Sequence, residues 1–290
     1  GLTLKLNGDG NITAGAYTDT LTIDASAAET SDFSGLSVAS DLTNGSLGLV
    51  INGGAGVQDI TGSAGSDVID GNGGADILKG SGSADTFTYV DKAEMTGNIT
   101  IDGGSGTDIL LFQAGTANAI VDGDLDSLTS VETITFTDSV NSIILGANAT
   151  TSGVSKINGG TAVDTIDLSP AAYTLASTVN GGTGTVADII TLGSGNDIVQ
   201  LVAEAGIDLI GSFTTLKDKV ALPAQTGFTA GSTVTAQTVA GVASAANRVA
   251  IDTIGNLGAV GVTLGDLSAY ADDLNYAIAS DTGAVFFDAD

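Results

Sequence analysis

Carboxylates recur with a fixed period between residues 51 and 89. Asp67, Asp76 and Asp85 stand nine residues apart, and Asp59 precedes the first of them by eight. Three blocks carry them in tandem: residues 62–70 (GSAGSDVID), 71–79 (GNGGADILK) and 80–88 (GSGSADTFT). A looser copy, GGAGVQDI, occupies residues 53–60, with Gln58 read as an insertion. Small residues open each block, among them Gly53, Gly62, Gly65, Gly71, Gly74 and Gly80. An Asp holds the sixth place and a short apolar pair follows. Carboxylates and peptide carbonyls are hard oxygen donors, and no His or Cys accompanies them. Such a set suits Ca²⁺ above Mg²⁺, because turns do not supply a rigid octahedron.

The elements that must position these groups follow from the period. A six-residue glycine-rich turn and a three-residue strand make half a coil. Two halves return the chain over itself one strand spacing higher, about 4.8 Å away. Strand side chains alternate, so one member of each apolar pair (Val68/Ile69, Ile77/Leu78, Thr86/Phe87) faces inward. Asp67 and Asp85 are then expected to stack on one edge, and Asp59 and Asp76 on the other. Stacked carboxylates repel unless a cation lies between them. A flexible Gly/Ser/Asp linker would lack apolar pairs held at constant phase.

The run resembles the G-G-x-G-x-D-x-U-x nonapeptides of RTX proteins. That resemblance implies a right-handed parallel β-solenoid, the calcium-binding β-roll, binding several Ca²⁺ ions and exported by bacterial type I secretion. Ser63, Ser81 and Ser83 replace glycines of the family pattern. Residues 208–223 (DLIGSFTTLKDKVALP) are similar to the segment that closes such rolls. By that likeness Phe213 plugs the open end, and Lys217, Asp218 and Lys219 turn the chain around it. The resemblance covers residues 51–223.

The design loosens after residue 90 but persists. Residues 99–112 (ITIDGGSGTDILLF) place Gly103, Gly106 and Asp108 between two strand segments. Residues 154–169 repeat this with Asp164. Residues 177–201 repeat it twice, with Asp188 after two extra residues and Asp197 in phase behind Gly193 and Gly195. Residues 204–213 are a degenerate copy with Asp208. Plain β segments such as residues 128–140 and 141–150 lie between. The expected organisation is N-terminal β-rungs or a cap over 1–50, the roll over 51–223 and a β-rich cap over 224–290. Residues 267–278 show apolar residues at helical spacing and read as one short helix. Asp19, Asp24 and Asp32 read as solvated surface groups, and the five tyrosines as core or cap packing.

Composition bounds the function. Seven basic residues against 34 acidic ones give a net charge of −27, which disfavours nucleic acid and anionic membranes as partners and favours metal cations. No His and no Cys occur, so histidine-based triads, HExxH zinc sites and thiol chemistry are excluded. Neither a nucleophile elbow nor a phosphate loop is present. The prominent carboxylates sit at repeat positions, where ligation accounts for them, and an enzyme is not expected. No stretch is long and apolar enough to be a transmembrane segment, and the first ten residues hold no signal-peptide core. The abrupt ends suggest a fragment or processed product. Together these point to a structural protein, secreted to the exterior or cell surface, that folds and self-assembles as a homo-oligomer or lattice on meeting Ca²⁺. The family resemblance makes this similar to a bacterial surface layer (S-layer), with attachment through regions outside this chain. The other reading is a stabilising, type I secretion module at the C-terminus of a larger exoenzyme or adhesin.

Overall fold

The structure is a computed structural model. It describes residues 3–7, 20–27, 29–33, 48–113, 115, 117–183, 186–200, 208–213, 217–221, 233–234, 248–252, 274–279 and 285–287. Asp19, Tyr17, Tyr270 and Pro223, and most of the proposed C-terminal cap, lie outside these residues.

The chain forms two compact units, residues 1–137 with 148–154, and residues 138–147 with 155–290. In the first unit the strands are β1 (Thr3–Asn7), β2 (Thr20–Asp24), β3 (Thr30–Asp32), β4 (Leu49–Asn52), β5 (Asp59–Thr61), β6 (Val68–Asp70) and β7 (Ile77–Gly82). They continue as β8 (Thr86–Tyr89), β9 (Thr100–Ser105), β10 (Ile109–Phe112), β11 (Asn118–Val121), β12 (Leu128–Thr129) and β13 (Thr133–Phe136). From β4 to β10 successive strands alternate between two sheets. One runs β1-β2-β4-β6-β8-β10-β13 and the other β3-β5-β7-β9-β12. All neighbours pair in parallel except β1 with β2. This alternation is a parallel solenoid, as the nine-residue half-coil requires.

The second unit is built the same way. Its strands are β14 (Asn141–Ile144), β15 (Lys156–Asn158), β16 (Asp164–Asp167), β17 (Thr178–Asn180), β18 (Ile189–Thr191), β19 (Ile198–Gln200), β20 (Leu209–Gly211), β21 (Lys219–Ala221) and β22 (Thr233–Val234). The order β15-β17-β19-β21 is parallel and closes with antiparallel β22, while β14-β16-β18-β20 forms the other parallel sheet. Three further strands, β23 (Arg248–Asp252), β24 (Leu274–Ala279) and β25 (Val285–Phe287), make a small mixed sheet. The helix expected over residues 267–278 is corrected here. Its described part belongs to β24, whose ladder with β23 and β25 overrides the helical spacing of apolar residues.

Each half-coil drops an apolar side chain into the centre. Ile51, Ile69, Phe87, Leu110 and Ile134 stack in register and are fully buried. Ile60, Leu78 and Ile101 face them from the second sheet. Each such side chain contributes about 1.5–3 kcal/mol. Beside this column Tyr89, Phe112 and Phe136 form an aromatic file, with ring centroids 6.0 Å and 5.3 Å apart. In the second unit the columns are Ile157–Val179–Val199–Val220 and Ile143–Ile166–Ile190–Ile210.

A helix unforeseen in the sequence reading, α1 (Lys92–Gly97), fills the extra length after β8. The Asp91 carboxylate caps it by accepting the Glu94 N–H at 3.0 Å, and Glu94 Oε2 accepts the Val90 N–H at 2.6 Å. The spacing Asp91-x-x-Glu94 is the local signal for this start.

Candidate metal centre

The sixth-place aspartates stand in four files, two in each unit, each at the point where a turn becomes a strand. Their carboxylates are buried and perform a backbone task. In the first unit, Asp67 Oδ1 accepts the Leu49 N–H at 2.7 Å. Asp85 Oδ1 accepts the Asp67 N–H at 2.7 Å, and Asp108 Oδ1 the Asp85 N–H at 2.7 Å. Glu132 continues the file, its Oε2 accepting the Asp108 N–H at 2.8 Å. On the opposite sheet Asp76 Oδ1 accepts the Gln58 N–H at 2.8 Å. Each carboxylate thus latches its coil to the coil before it.

The second unit repeats this. Asp164 Oδ1 accepts the Asn141 N–H at 3.0 Å, Asp188 Oδ1 the Asp164 N–H at 2.7 Å, and Asp208 Oδ1 the Asp188 N–H at 3.1 Å. In its other sheet Asp197 Oδ1 accepts the Ser177 N–H at 2.8 Å, and Asp218 Oδ1 the Asp197 N–H at 2.9 Å.

The second carboxylate oxygen turns back on the residue's own turn. Asp67 Oδ2 accepts the Ser63 N–H at 2.6 Å, Asp164 Oδ2 the Gly160 N–H at 2.6 Å, and Asp197 Oδ2 the Gly193 N–H at 3.1 Å. Three of these oxygens find no donor. Oδ2 of Asp76, Asp85 and Asp108 is buried without a hydrogen-bond partner. A buried, unpartnered carboxylate oxygen is costly and calls for a physical reason.

The sequence expectation holds for the stacking of Asp67 on Asp85, but Asp59 is a correction. Asp59 lies within β5 opposite Ile77. It is half-buried, and its carboxylate is 3.7 Å from Lys79 Nζ. Gln58 stacks on Asp76 instead. Gln58 is no insertion: it holds the sixth place of its block, and its Oε1 accepts the Gly54 N–H at 3.1 Å as an aspartate's Oδ2 would. Sequence reading also missed Glu132 and placed Asp218 only in the closing turn, yet the two residues complete two files. Only strand register reveals them, because neither follows a glycine-rich turn.

The glycines answer to close approach as much as to backbone freedom. A Cβ on first-place Gly62 would sit 2.5 Å from Asp67 Oδ2 and 2.6 Å from the Gly80 carbonyl oxygen. On Gly71 it would meet Asp76 Oδ2 at 2.7 Å, on Gly103 Asp108 Oδ2 at 2.5 Å, and on Gly53 the Gly71 carbonyl oxygen at 2.6 Å. Gly80 is pressed in the same way by Asp85 and Gly103. At the fourth place, Gly74 and Gly106 have φ of +149° and +152°. Gly195 lies against the backbone of Leu175 and Ala176, and a Cβ on Gly193 would be 2.7 Å from the Leu168 carbonyl oxygen. Gly65 donates its N–H to Ser63 Oγ at 3.0 Å. Ser81 and Ser83, standing where the repeat pattern has glycine, carry the positive φ themselves, +88° and +69°.

Burial dominates the electrostatics. It raises the carboxyl pKa of Asp67, Asp76, Asp108, Asp164 and Asp197 above the ordinary carboxylate range, against the opposing pull of the backbone N–H donors. Asp85 and Asp188 are pushed up to about 7, first by burial and further by the neighbouring carboxylates of their files. No three acidic side chains converge on one point among the described residues. A cation here would therefore be held by single carboxylate oxygens together with turn carbonyls. The unpartnered Oδ2 atoms of Asp76, Asp85 and Asp108 fit that donor set, which is the hard, oxygen-only set that Ca²⁺ takes.

Comparison of the chain with protein-family models, with curated proteins and with solved structures found no match.

Proposed function

We propose that this chain is a calcium-binding structural protein of the bacterial exterior, one that folds and associates with its own kind when Ca²⁺ binds between its coils. The observation that carries this reading is the trio of buried, donorless carboxylate oxygens on Asp76, Asp85 and Asp108, set in stacked files on a chain of net charge −27. Bound Ca²⁺ supplies positive charge where burial otherwise favours the protonated carboxyl. The aspartates latch coil to coil through Oδ1, and Asp76, Asp85 and Asp108 keep Oδ2 for the metal. Extracellular calcium modules bind at roughly 10⁻⁴–10⁻³ M, so a cytosol at micromolar calcium leaves them empty. The likeness of residues 62–88 to RTX nonapeptides supports export by type I secretion and a surface-layer role without catalysis.

The test is a Ca²⁺ titration of EDTA-stripped protein, followed by circular dichroism and by sedimentation. The expected result is a rise of β signal and thermal stability at millimolar Ca²⁺, together with growth of ordered assemblies. An unchanged spectrum and melting temperature would reject the calcium reading. Calcium-driven folding with a strictly monomeric product would instead identify a stabilising secretion module of a larger exoprotein.

A further inference from the structure

We propose that the outward face of β15-β17-β19-β21 is the surface through which one copy docks on another, and that its target is the outward face of β3-β5-β7-β9. This rests on the self-assembly reading above and names its contact. The chain has seven basic residues, and two of them, Lys156 and Lys219, stand on one face of the second unit. Register places Lys156, Thr178, Ile198 and Lys219 in a single row across the four strands. Both lysines are exposed, and neither has an ion-pair partner among the described residues. The neighbouring outward row holds the amides Asn158, Asn180 and Gln200. No carboxylate projects from either row. With two lysines and no carboxylate these rows are positive on a chain of net charge −27, and such a face can approach an acidic surface without repulsion.

The first unit carries the complementary pattern. Asp32, Thr61, Lys79 and Asp102 form one outward row across β3, β5, β7 and β9. Asp59 stands in the row beside it, 3.7 Å from Lys79, so the face as a whole is acidic. In each row the two like charges at the ends are separated by three strand steps, roughly 14 Å. Two parallel ladders of equal pitch laid face to face therefore bring both lysines against both aspartates at once. The two faces are different patches, so the contact is heterologous and a pair of copies keeps one lysine face and one acidic face exposed. Heterologous contacts of this kind build rings where the rotation closes and open chains where it does not. Four rungs of three-residue strands cover roughly 14 by 10 Å, well below a standard interface. A single contact is thus weak and salt-sensitive, and it gains strength by repetition.

The experiment uses the full chain in millimolar Ca²⁺, followed by analytical ultracentrifugation at low and high salt. The parent is expected to associate at low salt and fall toward monomer at high salt. Lys156→Glu with Lys219→Glu, on exposed side chains, should keep the circular dichroism spectrum and raise the concentration needed for association by roughly a hundredfold. Asp32→Lys with Asp102→Lys should do the same alone, and mixing the two double variants should restore assembly. A lysine variant that associates like the parent, or a mixture that stays dissociated, overturns the docking surface while calcium-driven assembly stands. A parent monomeric at every concentration overturns both. Alginate bound by the parent and released by the lysine variant, with self-association unchanged, would reassign the face to an anionic polysaccharide.

Discussion

At the residue scale, the sixth-place aspartate has two roles that substitutions can separate. Asp85 Oδ1 satisfies the buried Asp67 N–H, whereas Oδ2 has no donor. Asp85→Ala orphans that N–H and should cost about 1–3 kcal/mol with or without Ca²⁺. Asp85→Asn keeps the acceptor and removes the charge. Its melting temperature in EDTA should match or exceed the parent's, and it should lose the parent's gain on adding Ca²⁺. An Asn variant as damaged as the Ala variant in EDTA would show that the charge itself, not the acceptor, holds the coils together. The same carboxyls set a pH dependence. Asp85 and Asp188 titrate near 7 in the folded, metal-free chain, against about 3.9 when unfolded. The folded state binds more protons between those values, so metal-free stability is greatest below pH 4 and falls as pH rises through 7. Saturating Ca²⁺ requires ionised carboxylates and should flatten or reverse that slope. Urea midpoints across this range in EDTA and in Ca²⁺ would measure it, and stability rising with pH in EDTA would contradict it.

At the element scale, the nonapeptide turn and strand were legible because small residues, Asp and apolar pair recur in fixed phase. The stacking of Asp67 on Asp85 followed from that phase alone. Gln58 was misread because an amide stands where the pattern leads one to look for a carboxylate, and the next residue happens to be Asp59. Glu132 and Asp218 were illegible because coils lengthen from 18 residues to 23 and 24 along the file of Glu132 and run to 20 and 21 along that of Asp218, so that only pairing aligns them. The helix α1 was overlooked because its six residues are too few for a periodic signal, although Asp91 and Glu94 mark its start. Glycine's role at the first place was also only half visible, since close approach to a carboxylate depends on three-dimensional stacking. That gives a paired prediction. Gly62→Ala should destabilise by more than 1 kcal/mol, through contact with Asp67 and Gly80. Gly73→Ala, with nothing within 4 Å, should be neutral or add about 0.4–1 kcal/mol by stiffening the unfolded chain. Equal effects in thermal melts would refute the packing argument.

At the scale of the molecule, fold class was readable and function only as an expectation. Two parallel solenoidal units bury columns of Ile, Val, Leu and Phe, a hydrophobic column that does not depend on metal. On the proposed reading, calcium would add to that core instead of replacing it. With free Ca²⁺ at ten times the dissociation constant, each site contributes about 1.4 kcal/mol by linkage. Three sites would then add about 4 kcal/mol, enough to move a marginal chain from largely unfolded to folded. Files of carboxylates in register would make that response cooperative along the coil axis, because each coil contacts mainly its neighbours. The central claim is that the donorless oxygens of Asp76, Asp85 and Asp108 hold metal. Counting bound Ca²⁺ by equilibrium dialysis, for the parent and for Asp76→Asn/Asp85→Asn/Asp108→Asn, tests it most directly. The triple variant is expected to bind fewer ions than the parent and to lose the parent's calcium-dependent gain in stability. Equal counts for the two proteins, or no bound calcium in the parent, would contradict it.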